Sequence, residues 1–467
     1  MMKDIIVAAI GKVGAESSIR IADWRLVGRT ISRQEQYFVA EKSEQLRSVE
    51  EGDFALTVYV DSEAGGKKSR GEATVTIQPT HTASEVEAKI RQAVFAASKS
   101  KNPWYDIPGP APAKAAPPAS GFESLDGIAR MEAVKKALYA PEAAVGDKAG
   151  AAPARKASGA WVPGATATEP RINSLEIFIS REDKTFLNSK GQAFEGRRWR
   201  GYSEFVVDAP SKNGPVELFD DIEFSEPNSG RLSAATAARL AQVADRAVAI
   251  PMPALKDIPV ILSGKEAEEV FAWFAGNATT TAVFTKSSTF ALGENVQRGE
   301  KDEAVAEPID LWAEPVLAGL PASAAFDVDG FPLERTPVIQ GGILVNLVGL
   351  IRYADWLGQT RRGAFPLFSV SPGAASVDAM RAAPHLEPVM FSDFRLDGIT
   401  GDFGAEIRLA YWFDGKKRVP VTGGSISGSV SELRASMRRS SERWVATRSL
   451  CPIAVQLHGV SITGAAG

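Results

Sequence analysis

Residues 102–121 read NPWYDIPGPAPAKAAPPASG, with six prolines in twenty positions. Proline fixes φ and removes a backbone donor, so neither a helix nor an inner strand can run through such a stretch. Extended polyproline geometry is expected there. A helix is expected over Leu125 to Leu138, and then a second biased stretch, 145–170 (VGDKAGAAPARKASGAWVPGATATEP), which reads as a mobile loop. A chain interrupted in this way must build its cores on either side of the break. The division this suggests is a unit over 1–101, a Pro/Ala-rich linker with one helix over 102–170, a second unit over 171–250, and a last domain over 251–467, within the two to four domains that such a length suggests, roughly.

Period-two alternation marks the first unit. Phe54–Val60 and Gly71–Ile77 read as strands, joined by turn residues in Glu63–Lys68. A helix opens near Thr82, with Ser84 as its expected N-cap and Val86, Ile90, Ala93 and Val94 as one apolar stripe. The second unit repeats this order of strands and then a helix. Arg171–Ile179 and Tyr202–Asp208 read as strands, Thr185–Gly191 as a strand and turn, and Ser233–Ala249 as an Ala-rich helix. In 251–467, short extended runs recur between Gly, Asp and Asn: Val260–Leu262, Ala324–Val328, Gly341–Leu347, Ala405–Phe413 and Ser425–Val430. They predict a curved or barrel-like sheet. Lys265–Ala275 reads as a helix with Ala267, Val270, Phe271 and Phe274 on one face. The fold class is therefore α+β: two similar strand–helix units, then a β-rich, barrel-like domain.

Composition excludes several functions. A formal net charge of −4 argues against non-specific nucleic-acid binding. The apolar run at the start lacks the length and cleavage pattern of a signal peptide, and no run of about 18 apolar residues predicts a membrane span. Cys451 is the single cysteine, so no intrachain disulfide can form, and the expected location is the cytoplasm. Histidine is scarce. His81, His385 and His458 are the whole complement, with none between 82 and 384.

Six segments in order resemble the TldD/PmbA family of bacterial peptidases. They are Ile258–Gly264 (IPVILSG), Ser288–Glu294 (STFALGE), Phe326–Arg335 (FDVDGFPLER), Val338–Leu344 (VIQGGIL), Ile351–Gly358 (IRYADWLG) and Leu457–Gly464 (LHGVSITG). The resemblance implies one of two kinds of subunit. One kind carries zinc on an HExxxH helix; the other, the PmbA or TldE kind, lacks the motif and pairs with the first to trim and degrade peptides. Aligned on Ser288–Phe290, the motif positions here are Phe271, Ala272 and Gly276; aligned on Gly293–Glu294, they are Glu269, Val270 and Phe274. Neither register holds a histidine, and a zinc helix needs two imidazoles on one face with a carboxylate to activate water.

Other residues could carry chemistry. His385 lies near Asp393 and Asp397 in sequence and could join them, His458 or Cys451 around a metal, but no ligand spacing supports this and a loop histidine is the expectation. Cys451, whose counterpart joins the zinc shell in the metal-bearing subunits, is expected as a buried structural thiol rather than a nucleophile. Glu266, Glu268 and Glu269 could supply a base, and are read as helix N-terminal carboxylates favoured by the macrodipole. Arg434, Arg438, Arg439, Arg443 and Arg448 could meet phosphate or an acidic partner, and are read as a solvated or subunit-facing helix. Gly423–Gly428 (GGSISG) is strand and turn, since no Lys-Ser/Thr follows the glycines. Trp273, Trp312, Trp356, Trp412 and Trp444 are read as core or interface.

The expectation is a non-catalytic subunit of a heterodimeric zinc metalloprotease, with no catalytic or metal-binding residue of its own. An HExxxH-bearing, TldD-like partner would supply the zinc, and unfolded or extended peptide would be the substrate, with no nucleic acid and no membrane. Its substrate-binding residues are not assigned. The alternatives are a homodimeric peptide-binding scaffold or chaperone, and an enzyme using Cys451 or His385.

Overall fold

A computed structural model describes residues 2–149, 169–299 and 304–465. Most of the loop expected over 145–170 lies outside the described residues. The N-terminal half comprises α1 (Met2–Glu16), β1 (Asp23–Val39), β2 (Lys42–Ala64), β3 (Lys67–Ile77), α2 (Ala83–Lys99), β4 (Asn102–Pro103), α3 (Gly127–Ala149), β5 (Arg171–Asn188), β6 (Ala193–Ala209), β7 (Val216–Phe224) and α4 (Ser229–Ala247). The expected strands are present but longer, because alternation continues past the residues that seemed to bound them, and Arg171–Ile179 and the strand expected from Thr185 are a single strand, β5. The β2–β3 turn is Gly65-Gly66, both at positive φ (59° and 74°), the two-residue geometry that follows the twist of the strands. The N-cap of α2 is Thr82 rather than Ser84. Its hydroxyl accepts from Glu85 N while Glu85 reaches back to Thr82 N, and this reciprocal box leaves Ser84 inside the first turn.

The two similar units share one antiparallel sheet of order β4-β3-β2-β1-β5-β6-β7. Its centre is β1 against β5, registered from Arg25↔Asn188 to Val39↔Ser174. Each side has its own helix pair. Ile6, Ile10 and Val13 of α1 meet Val86 and Ile90 of α2 over Leu56 and Val58. Met131, Val134 and Leu138 of α3 meet Leu232, Leu240 and Val243 of α4 over Leu175, Ile177 and Val207. Between the sides, the proline-rich segment is pinned to the surface: Tyr105 and Ile107 are buried, and Asn188 donates to the Pro108 carbonyl at 2.7 Å.

The C-terminal half forms a six-stranded and a nine-stranded sheet around a core that includes Val260, Phe271, Phe274, Leu311, Val370, Cys451 and Val455. Among the described residues neither sheet closes, so there is no barrel. The six-stranded sheet ends on Ile343–Leu344 and Arg443–Val445, and the main path of the other on Arg438–Arg439 and Ile250–Pro251. Two expected strands are not formed. Ala324–Val328 has a single bridge at Phe326, and of Gly341–Leu347 only Ile343–Leu344 is paired in a strand. In both, Gly and Asp turns consume the residues that pairing would need. Val260–Ser263, Asp402–Phe413 and Ser425–Ser429 are strands as expected. The helix α5 (Lys265–Asn277) follows directly on Val260–Ser263.

The halves meet over charged and aromatic contacts. Arg25 of β1 binds Asp329 and donates to the Val328 carbonyl (3.2 Å), and Arg352 binds Glu72. Gly330, at φ +83°, lies so close to Phe186 that an added Cβ would stand 2.4 Å from the ring. No helix among the described residues is long and apolar enough to cross a membrane.

Candidate functional site

The region that a zinc helix would occupy is built by α5. Val270, Phe271 and Phe274 are fully buried in the C-terminal core, whereas Glu269 and Gly276 are exposed. The other side of the helix, Ala272, Ala275 and Gly276, lines a cleft of about 280 Å³. Leu311, Ala313, Val348, Leu350 and Phe368 also line it, with Thr279 and Thr281, and among the described residues Arg448 is the one charged side chain at it. Of the two registers considered for the motif, the first places 272 and 276 on the cleft but sends 271, an imidazole position, into the core. The second sends 270 and 274 into the core and 269 into solvent. In each register one imidazole position, Phe271 or Phe274, lies in the core, and the motif positions on the cleft are Ala272 and Gly276.

Glu268 organises the cleft's far wall. Its carboxylate, 2% exposed, accepts from Thr447 N (3.1 Å), Arg448 N (2.8 Å) and Ser449 Oγ (2.7 Å). A buried carboxylate needs such donors to offset lost hydration. So Glu268 is a buried anchor rather than a solvent-facing N-terminal charge; the helix turns it inward because it sits one position after buried Ala267 and two before Val270. Glu269 is the outward residue, 3.4 Å from Arg448. Glu266 is half-buried, and burial pushes its carboxyl up to about 7.

Cys451, on the strand Ser449–Pro452, is fully buried, and burial pushes its thiol up to about 12. A buried thiol in apolar surroundings is a poor nucleophile at neutral pH. Phe271, Ala272 and Gly276 offer no ligand atom, so the residues present do not fit a zinc ion. Among the described residues no group of three or more His, Cys, Asp or Glu side chains could hold a metal ion.

The remaining candidates are dispersed. His385 is not a loop residue: it begins the strand His385–Leu396, is 1% exposed, pairs through Nδ1 with the Ala383 carbonyl (2.8 Å) and packs on Phe413. Asp393 and Asp397 are exposed, and turn to Arg395 and to backbone N–H groups of Ile399 and Thr400. His458 is exposed. The arginine run is not a helix. Arg438–Arg439 and Arg443–Val445 are strands, and Arg439 is buried against the Glu307 and Pro308 carbonyls. Pairing of 438–439 with Ala454–Leu457 forces the alternation that buries one arginine and exposes its neighbour. Trp273 is core, while Trp312, Trp356, Trp412 and Trp444 are half-buried.

Sequence reasoning missed a second concavity. One face of the seven-stranded sheet carries Arg33, Glu35 and Tyr37 of β1, Phe178 of β5 and Tyr202 of β6, lining a groove of about 670 Å³. The i, i+2 spacing of Arg33, Glu35 and Tyr37 was the available signal, since alternate residues of a strand share a face.

Residues 255–464 match the family model described as the PmbA/TldA metallopeptidase C-terminal domain. No curated protein matches the chain. Three solved structures are similar over essentially the whole length, each with a TM-score of 0.73. TldE from Thermococcus kodakarensis is 13% identical, with 100% of both chains covered. A putative modulator of a DNA gyrase from Thermotoga maritima is 13% identical, with 99% of this chain and 100% of that one covered. A putative modulator of DNA gyrase from Bacteroides thetaiotaomicron is 14% identical, with 99% and 98% covered. The matched domain and the shared fold agree: residues 255–464 of this chain match the PmbA/TldA metallopeptidase C-terminal domain, and the chain as a whole has the fold of TldE.

Proposed function

We propose that this chain is the metal-free, TldE-type member of a two-chain zinc metalloprotease, paired in the cytoplasm with an HExxxH-bearing subunit that holds the zinc and activates the water. The observation that carries this reading is α5. In a domain family named for metallopeptidase activity, the positions of the metal helix are Phe271, Ala272 and Gly276 in one register and Glu269, Val270 and Phe274 in the other, none of them a histidine, and the C-terminal cysteine is buried in the core. Such a chain contributes to peptide cleavage by binding and enclosing the substrate.

Two features support peptide handling. The cleft beside α5 takes side chains, and the short end strands of the six-stranded sheet leave edges to which an extended peptide can add through backbone hydrogen bonds, tolerating varied sequences. Nucleic acid and membrane play no part in this reading.

Native mass spectrometry of the chain, alone and mixed with its HExxxH-bearing relative, tests it. The expected result is a zinc-free chain alone and a one-to-one complex carrying one zinc ion. Zinc on this chain by itself, or no association with the relative, overturns it; a zinc-free self-dimer that ignores the relative would favour the scaffold reading instead.

A further inference from the structure

The cleft beside α5 has a shape and a charge that point to a particular part of a peptide. Its volume of about 280 Å³ lies just below the range of roughly 300–1,000 Å³ typical of pockets that enclose a whole small ligand. It therefore suits one or two side chains of something larger. Its lining is mostly apolar, with Ala272, Ala275, Leu311 and Phe368 among the residues and the hydroxyls of Thr279 and Thr281 as the uncharged polar side chains, and among the described residues Arg448 is its one cation.

Arg448 is available to a ligand. Its side chain is 48% exposed, and the ion pair to Glu269 is long (3.4 Å) with Glu269 equally open to solvent. Pairs of this kind contribute little and exchange readily. The backbone beneath it is fixed, because the buried carboxylate of Glu268 holds the N–H groups of Thr447 and Arg448. The guanidinium is thus presented at the cleft from an ordered loop, which lowers the entropy lost when it binds.

We infer that the cleft receives the C-terminal residue of a peptide, with its apolar side chain between α5 and Leu311–Glu314 and its carboxylate on Arg448. A guanidinium fork matches a carboxylate in two parallel hydrogen bonds. Only a chain end carries a carboxylate and an apolar side chain on one Cα. An internal Asp or Glu would have to drive its own charge into the apolar cleft, at a large desolvation cost. The inference rests on the proposal that this chain handles peptide, and adds which end it holds.

The test is fluorescence-polarisation titration of the full chain, without its partner, against N-terminally labelled tripeptides. The probes are a peptide ending in Leu as the free acid, the same peptide as the C-terminal amide, and one ending in Asp; labelled octanoate serves as a non-peptide carboxylate. The free acid should bind, with the amide roughly tenfold to a hundredfold weaker, the loss expected for a hydrogen-bonded charge. Arg448→Gln should bring acid and amide to equal, weak affinity. Ala275→Leu, at a half-buried position, should weaken the Leu peptide by filling the cleft, with circular dichroism confirming the fold. Equal binding of acid and amide by the unmodified chain, tighter binding of octanoate than of the Leu peptide, or no binding of any probe would each overturn the inference. None of these results bears on partner assembly and zinc stoichiometry, which native mass spectrometry reads separately.

Discussion

Two concave surfaces of this molecule are built on opposite principles. The cleft beside α5 is lined mostly by apolar side chains, and the carboxylate buried behind it, Glu268, answers to neutral donors, two amides and a hydroxyl. The groove on the seven-stranded sheet is walled by opposite charges that face each other across strands, such as Arg198 and Glu182 at 2.6 Å. Stability in the first resides in packing and buried hydrogen bonds. In the second the ion pairs are solvated, and their contribution is small. A surface of the first kind cannot be altered cheaply; one of the second kind can.

Substitutions in both surfaces test that contrast. Phe271→Ala should be the most damaging, about 3–5 kcal/mol by urea unfolding, because a fully buried ring would leave a cavity. A loss below about 1 kcal/mol would mean that the core behind α5 is loosely packed and the contrast false. Glu268→Ala should cost about 2–4 kcal/mol, since Thr447 N, Arg448 N and Ser449 Oγ would lose their buried acceptor. Glu35 is the exception in the groove: it is 3% exposed and accepts from Arg33 (2.7 Å) and Tyr37 (3.1 Å). Glu35→Ala should therefore cost an intermediate 1–3 kcal/mol or so. Arg198→Ala should cost less than about 1 kcal/mol, and its effect should fade in salt. The last prediction concerns reactivity. Cys451, buried beside the cleft with its thiol pushed up to about 12, should resist a thiol reagent in the native protein at pH 8 and label fully in urea. Rapid native labelling would return the thiol to the list of candidate nucleophiles.

The same contrast governs what was legible in the sequence. Strands of the N-terminal half showed themselves by alternation, which over residues 202–207 follows one face buried under helices, whereas the stretch 56–60 is buried on both faces. The joining of the two units was not legible, since β1 finds β5 only after more than a hundred intervening residues, and nothing local encodes that choice. Of the C-terminal half, α5 was legible from its apolar spacing, and the want of a metal helix from the absence of histidine. The cleft was not. Ala272, Ala275 and Gly276 are unremarkable in sequence and acquire meaning only opposite Leu311 and Ala313, which the six-stranded sheet brings across from elsewhere. The arginines misled for a related reason. A run spaced through 434–448 suggests a helical face, but pairing of 438–439 with Ala454–Leu457 and a short hairpin between 443–445 and Ser449–Pro452 set its geometry.

The pairing of β1 with β5 bears on how the chain emerges from the ribosome. β1 and β2 are neighbours and can close into a hairpin at once, but the other side of β1 is left with bare amides and carbonyls until residue 188 has been made. An uncovered strand flank is a template for pairing with another nascent chain. The interval is lengthened by every residue of the Pro/Ala-rich stretch, although loop closure itself grows only slowly with length. The central strand of the finished sheet is therefore its most vulnerable element during synthesis, and truncated chains ending before β5 should be the ones that aggregate.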